Sequence, residues 1–264
     1  MRLCLFILLF AVNPCFGQNG WQLEMMPGIA AYRGDLTQSA IPLKTIGPSF
    51  GLNLKYDRGD MIVFRAGVAF GKVKAYDSDN NKESVKARNL SFHSIIWEAN
   101  LCAEVNILDP EAYVSYPYMF LGVGAFRFDP YAYDDNNKKQ YLWQLRTEGQ
   151  GLPEYPNKKV YKKTQLCVPF GGGLKFRLNE RYLMSFELGV RFLFTDYLDD
   201  VSGTYPSETV LLTHISPKAV EMSFRQTPHP GEGQVRGNPD TKDMYIFTGL
   251  KIAYKLGKSK KKEK

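Results

Sequence analysis

The chain is short of the residues from which most active sites and metal centres are built. Its 264 residues include four cysteines and three histidines. Cys4 and Cys15 lie within residues 1–17, leaving Cys102 and Cys167, too few and too far apart for a disulfide framework or a zinc site. Their pairing stays open beside a role as small, half-apolar wall residues. His93, His214 and His229 are scattered, and no spacing places one beside a serine or carboxylate as nucleophilic catalysis requires. Gly171-Gly172-Gly173 lacks the Lys-Ser/Thr and helix start that a phosphate loop needs. It runs on into Leu174-Lys175-Phe176, which reads as a bend or close backbone approach in a sheet. Asp196, Asp199, Asp200, Asp240 and Asp243 could offer oxygen ligands to calcium, but the EF-hand spacing is missing and a solvated acidic loop base is the plainer reading. No catalytic, cofactor-binding or metal-binding residue is expected.

Long apolar runs are also missing. The only one, residues 3–12, is half the length of about 20 that a helix needs to cross a bilayer, which excludes a helical membrane protein. Arg2, this run, and small side chains at Cys15 and Gly17 predict a signal peptide over residues 1–17 and a mature chain from Gln18. Pro14 argues against Cys15 as a lipidated residue. Strong charge is lacking as well. Of the formal +7, lysines 258, 260, 261, 262 and 264 set against Glu263 supply four and Arg2 one. What remains is too little for a nucleic-acid-binding surface, so no nucleic-acid partner is expected. The basic stretch 258–264 reads as a solvated tail, or as a contact for an acidic partner.

Aromatic residues, by contrast, are plentiful at 14%, with 16 Tyr and 17 Phe, and they fall in segments that alternate with period two. Met184, Phe186, Leu188, Val190, Phe192 and Phe194 oppose Ser185, Glu187, Gly189 and Arg191, with Leu193 the one slip. Met244, Ile246, Leu250, Ile252, Tyr254 and Leu256 oppose Gly249, Lys251, Ala253 and Lys255, although Tyr245 and Phe247 share that second side. The same pattern sets Phe50, Leu52 and Leu54 against Asn53 and Lys55, and Phe64 and Val68 against Arg65 and Gly67. It recurs with Trp97 and Leu101 against Glu98, Asn100 and Glu104, and with Leu166 and Leu174 against Gly171, Gly173 and Lys175. Two further segments, 21–33 and 118–128, alternate less cleanly.

Eight such strands are joined by short connections at 57–60, 107–115 and 178–182, which take turns with long ones at 34–47, 77–89, 129–163 and 196–242. The predicted fold is all-β: an eight-stranded antiparallel up-and-down transmembrane β-barrel over residues 18–257, with long extracellular loops and periplasmic termini. A soluble barrel would turn its polar face outward. Here the polar face is also the Gly/Ala-rich one, and small residues belong on the concave side. Glu24, Glu98, Glu104 and Glu187 are therefore expected inside, paired with Lys55, Arg65, Lys175, Arg177, Arg191 and Lys251. An exported soluble barrel is the alternative. The loop 196–242 is long enough to be either partly ordered and functional or disordered.

Several stretches carry a family resemblance: Tyr32-Arg-Gly-Asp-Leu36, Arg88-Asn-Leu-Ser-Phe92, Thr147-Glu-Gly-Gln-Gly151, Pro169-Phe-Gly-Gly-Gly173 and Leu178-Asn-Glu-Arg181. The segments 195–206 and 236–243, with Phe247-Thr-Gly249, carry it furthest. Together they resemble the PorG-like outer-membrane β-barrels of Bacteroidetes, associated with type IX secretion and gliding machinery. The resemblance implies an eight-stranded barrel whose periplasmic side associates with secretion-ring proteins, with no catalytic residues and no cofactor. Members are expected to end near an aromatic residue of the last strand, whereas residues 257–264 extend past Tyr254 here. The expected function is a non-enzymatic outer-membrane component that anchors or stabilises the ring, in contact with lipid and lipopolysaccharide. A general barrel with ligand-binding or adhesive surface loops is the alternative, and a lipid-modifying enzyme relying on His93 or His214 a third possibility.

Overall fold

A computed structural model describes residues 20–37, 45–57 and 61–256. The signal-peptide expectation at 1–17, the basic tail at 258–264 and the centre of the turn at 57–60 lie outside the described residues. Eight long strands form the wall: β1 (Trp21–Arg33), β2 (Gly47–Tyr56), β3 (Ile62–Tyr76), β4 (Ser91–Asn106), β5 (Ser115–Arg127), β8 (Thr164–Arg177), β9 (Tyr182–Leu193) and β10 (Met244–Leu256). Each pairs antiparallel with its neighbours in sequence order, and β1 closes onto β10 from Trp21↔Leu256 to Arg33↔Met244. Closure leaves the wall without an unpaired edge. Between β5 and β8 the chain adds a small hairpin, β6 (Tyr131–Tyr133) and β7 (Lys139–Tyr141), which continues the edge of β4 beyond the end of β5 through His93↔Tyr131. Among the described residues no helix is long and apolar enough to cross a membrane. The wall strands, at 10 to 16 residues, match or exceed the roughly 9–11 that a tilted strand needs.

The expected faces hold along the wall. Leu52, Phe64, Val68, Leu101, Leu121, Leu166, Leu188 and Leu250 point outward and are exposed, while Asn53, Lys55, Arg65, Glu104, Lys175, Glu187 and Lys251 are buried inside. β1 alternates as regularly as the rest. Its pattern is faint in sequence because Met26, Ala30 and Tyr32 on the inner side are themselves apolar.

The lumen is layered, which explains the apparent slips. Toward the short-turn end, four cations meet three carboxylates. Lys55 lies 2.8 Å from Glu104 and 3.3 Å from Glu24, Lys175 2.7 Å from Glu104, and Lys251 2.8 Å from Glu24 and 2.6 Å from Glu187. Arg65 bridges Glu104 at 2.9 Å and Glu187 at 2.7 Å. Midway, Glu98 takes Arg191 at 3.0 Å and the Tyr245 hydroxyl at 2.6 Å. Toward the long-loop end the inner face turns apolar, with Tyr32, Phe92, Ile96, Phe126, Phe128, Leu193 and Phe247 in one buried cluster. Leu193 therefore faces inward because its level of the barrel is hydrocarbon.

Arg177 departs from expectation. It sits at the strand end and donates to the Tyr113 carbonyl at 2.8 Å, outside the internal network. The glycine run allows the close backbone approach expected of it: a Cβ on Gly171 or Gly173 would run first into the backbone carbonyls of Leu188 or Phe186 on β9, and then into the Phe120 or Tyr118 ring at 2.9 Å. Cys102 and Cys167 are buried free thiols rather than a disulfide.

Glu104 lies within 4 Å of all four lower cations, with Lys251 the farthest at 3.8 Å, so its loss strands positive charge in a closed space. Glu104→Gln, nearly isosteric, is expected to destabilise the barrel by about 3–5 kcal/mol. Urea unfolding of the refolded chain measures this, and an unchanged midpoint would contradict it.

Candidate functional site

The long connections fold into a cap over the apolar end of the lumen. Four short helices stiffen it: α1 (Glu83–Arg88), α2 (Leu142–Leu145), α3 (Glu208–His214) and α4 (Pro217–Ser223). Asn89 ends α1 in the left-handed region at φ 53°, turning the chain so that Leu90 and Phe92 enter the core. Ser216 caps α4 by accepting from the Ala219 amide, and Pro217 occupies the first turn, where a missing N–H costs nothing. Leu152, Tyr205, Leu211, Val220 and Phe224 form a second small core beneath α3 and α4.

The loop stretches singled out in sequence meet at the base of this cap. The Arg88 guanidinium grips both oxygens of Asp77, at 2.7 and 2.6 Å. It also donates to the carbonyls of Asp35, at 3.0 Å, and Arg236. Glu148 accepts from the Ser202 amide at 2.9 Å, the Gly203 amide at 3.1 Å and Arg236 at 3.1 Å. Asp200 takes the hydroxyls of Thr147 at 2.5 Å and Tyr161 at 2.6 Å, while its carbonyl receives Arg236 at 2.7 Å. The Asn238 amide donates to Asp35 at 2.9 Å, tying the far end of the longest loop to the first.

Tyr32 joins wall to cap, its hydroxyl lying 2.5 Å from Asp199 and 3.1 Å from Asp243. A single hydroxyl proton cannot serve both acceptors. Burial raises both carboxyls well above the usual range, and each is raised further by a neighbouring carboxylate, Asp35 for the first and Asp199 for the second. Both shifts favour the protonated, neutral carboxyl over a second buried negative charge. Burial also lifts Asp200 and Asp35 to about 6 and Asp196 to about 7.

Of the carboxylates considered as calcium ligands, Asp199, Asp200 and Asp243 are spent on the protein's own donors, whereas the Asp196 Oδ2 is buried with no hydrogen-bond partner. Asp199 accepts from Tyr32 and the Val201 amide, Asp243 from the Leu198 amide at 2.9 Å, and Asp240 lies in an exposed turn with Asn238. No cluster of three or more potential ligands has metal-holding geometry among the described residues. Two histidines do reach carboxylates, which sequence spacing did not reveal. His214 lies 2.8 Å from Glu154 and His229 2.9 Å from Glu208, both on the exposed surface. His93 instead stands on the outer wall against Tyr76.

What this arrangement does chemically is hold four loops in one shape. Glu148→Gln would leave Arg236 buried without its counter-charge, a loss of about 3–5 kcal/mol confined to the cap. Trypsin is then expected to cut within 142–163 and 194–243 while the wall survives; cleavage as slow as in the parent chain would contradict this. Carboxyls with raised pKa favour the folded cap while protonated, so that contribution is lost as pH rises from about 4 through 6–7. Amide-exchange protection in 195–206 and 236–243, corrected for intrinsic rates, should fall between pH 5 and pH 8; a rise would be the wrong sign.

In outline the chain is similar to several solved barrels. These are Neisserial surface protein A (8% identity, TM-score 0.45, 89% of this chain and 97% of that one), and the attachment invasion locus protein Ail of Yersinia pestis (9%, 0.39, 90% and 99%). OprG from Pseudomonas aeruginosa is another (10%, 0.38, 92% and 99%). No curated protein matches the sequence. One family model does, over residues 2–214, and the chain belongs to that family, described as Domain of unknown function (DUF6089).

Proposed function

We propose that this chain is a non-enzymatic, integral outer-membrane barrel, made of a signal peptide at 1–17, a barrel over 18–257 and a basic periplasmic tail at 258–264. The observation that carries the membrane placement is the exposed outer belt, where Leu52, Leu101, Val123, Leu166, Leu188 and Leu250 form a surface with almost no charge. A belt of this size on a soluble protein would drive aggregation. Aromatic pairs mark its short-turn border, Trp21 with Tyr56 at 5.0 Å and Tyr182 with Tyr254 at 5.3 Å, as expected where lipid meets water. The filled lumen favours a scaffold over a channel. The loop end then faces outward, and the end where β1 starts and β10 finishes faces the periplasm.

Within that reading we place the chain among the PorG-like barrels and assign it to type IX secretion, anchoring or stabilising the periplasmic ring at the outer membrane. The support is the resemblance of the stretches 32–36, 88–92, 147–151, 195–206 and 236–243. A barrel with binding surface loops is the second reading, favoured by one specific observation: those stretches gather in the cap, at the opposite end of the wall from Trp21 and Leu256.

Leu101→Arg places a charge mid-belt and is expected to cost about 2–4 kcal/mol of folding stability in bilayers; no loss there would count against lipid contact. Affinity purification from detergent-solubilised outer membranes should recover ring proteins, and a knockout should lose secreted cargo. Intact secretion, combined with surface binding that disappears when 196–242 is deleted, would instead support the second reading.

A further inference from the structure

We propose that the outer wall at the junction of β3, β4 and the β6–β7 hairpin binds the phosphorylated sugar headgroup of an outer-leaflet glycolipid of the lipid A type. This rests on the membrane placement above and adds a site to it. Cross-strand register puts Lys74, His93, Tyr131 and Tyr141 in one row, each directly opposite the next. Directly opposed residues share a face of the sheet, so this row continues the outer surface. On β3 the row stands four residues beyond Phe70, the last outward apolar position, with Lys72 between them, at the margin where hydrocarbon gives way to headgroups.

The row is built rather than incidental. Tyr76 holds the His93 ring through a 2.8 Å hydrogen bond, and that ring stacks on Tyr131 at 5.3 Å and 14°. Lys139 from the hairpin lies 3.7 Å above Tyr131 and 4.5 Å above Tyr141, and Lys74 stands 5.9 Å from the Tyr76 ring. Among the described residues, neither lysine has a carboxylate partner. Two ammonium groups flanking aromatic faces suit one occupant chemistry: phosphate on the lysines, with a sugar ring against tyrosine. Below the row, Phe70 and Trp97 pack at 5.0 Å and offer an apolar floor to acyl chains. The hairpin exists at this point because β5 stops at Arg127 and leaves the edge of β4 free to pair with Tyr131.

The test uses the full chain folded into phosphatidylcholine nanodiscs, with native mass spectrometry counting the lipid retained. Diphosphorylated lipid A should be held in preference to its dephosphorylated form and to phosphatidylglycerol. Lys74→Gln with Lys139→Gln should lower retention about tenfold, arginine at both positions should restore it, and Lys162→Gln with Lys242→Gln should leave it unchanged. Equal retention by the glutamine double variant, equal retention of phosphatidylglycerol, or displacement of lipid A by millimolar inorganic phosphate would each overturn the site. A chain that never enters bilayers would overturn the membrane placement and this site with it. A chain that enters them but holds no lipid A would overturn the site alone.

Discussion

The charge network inside the barrel sets the terms for everything around it. Lys55, Arg65, Lys175 and Lys251 cannot be dehydrated unless Glu24, Glu104 and Glu187 arrive with them. Those seven residues come from β1, β2, β3, β4, β8, β9 and β10, so the network completes itself only when the wall is closed. Register slip by one residue would turn each charge outward and each leucine inward. Ionic pairing inside and hydrocarbon outside thus specify the same register from both faces, and the contacts of Arg65 to Glu187 and Lys175 to Glu104 join strands that are not neighbours in the wall.

Above that network the barrel changes character. An apolar, aromatic layer receives the cap, and the cap is held down by charges that again find partners within the chain. Tyr32 belongs to both, with its ring in the wall core against Phe92 and its hydroxyl in the cap between Asp199 and Asp243. Arg88, Glu148 and Arg236 then lock the loops to one another. An end built this way is an ordered platform. Burial there raises the carboxyls of Asp35, Asp196 and Asp200 above the usual carboxylate range.

The wall was legible because period two is a simple code and both faces obey it. Six of the eight strands announced themselves by opposing Leu, Phe or Val to Lys, Glu or Gly. The two faint ones, β1 and β5, were blurred by inward residues such as Met26, Tyr118 and Phe126 that the layered lumen wants apolar or aromatic. Arg177 was misassigned because its parity fits the lumen while its height, at the end of β8, does not. The cap was largely illegible. Helices of four to seven residues are too short for a helical period to show, and contacts such as Arg88 to Asp77 or Glu148 to Arg236 depend on loop paths that spacing does not encode. Some local signals were present. Ser216-Pro217 is a helix start, and Asp134-Asp135-Asn136-Asn137 between two tyrosine-bearing triplets is a hairpin turn.

Lipid contact by alternate residues is the physical premise beneath the proposed membrane placement, the proposed lipid site and the proposed outward orientation of the cap. Spin labels placed one at a time at positions 185 to 192 of β9, in lipid vesicles, test it most directly. Even positions, where Phe186, Leu188 and Phe192 stand, should collide with dissolved oxygen and be shielded from a water-soluble nickel reagent, whereas odd positions should be shielded from both. Even positions open to the nickel reagent, or no alternation along the strand, would contradict a barrel that meets hydrocarbon on its outer face.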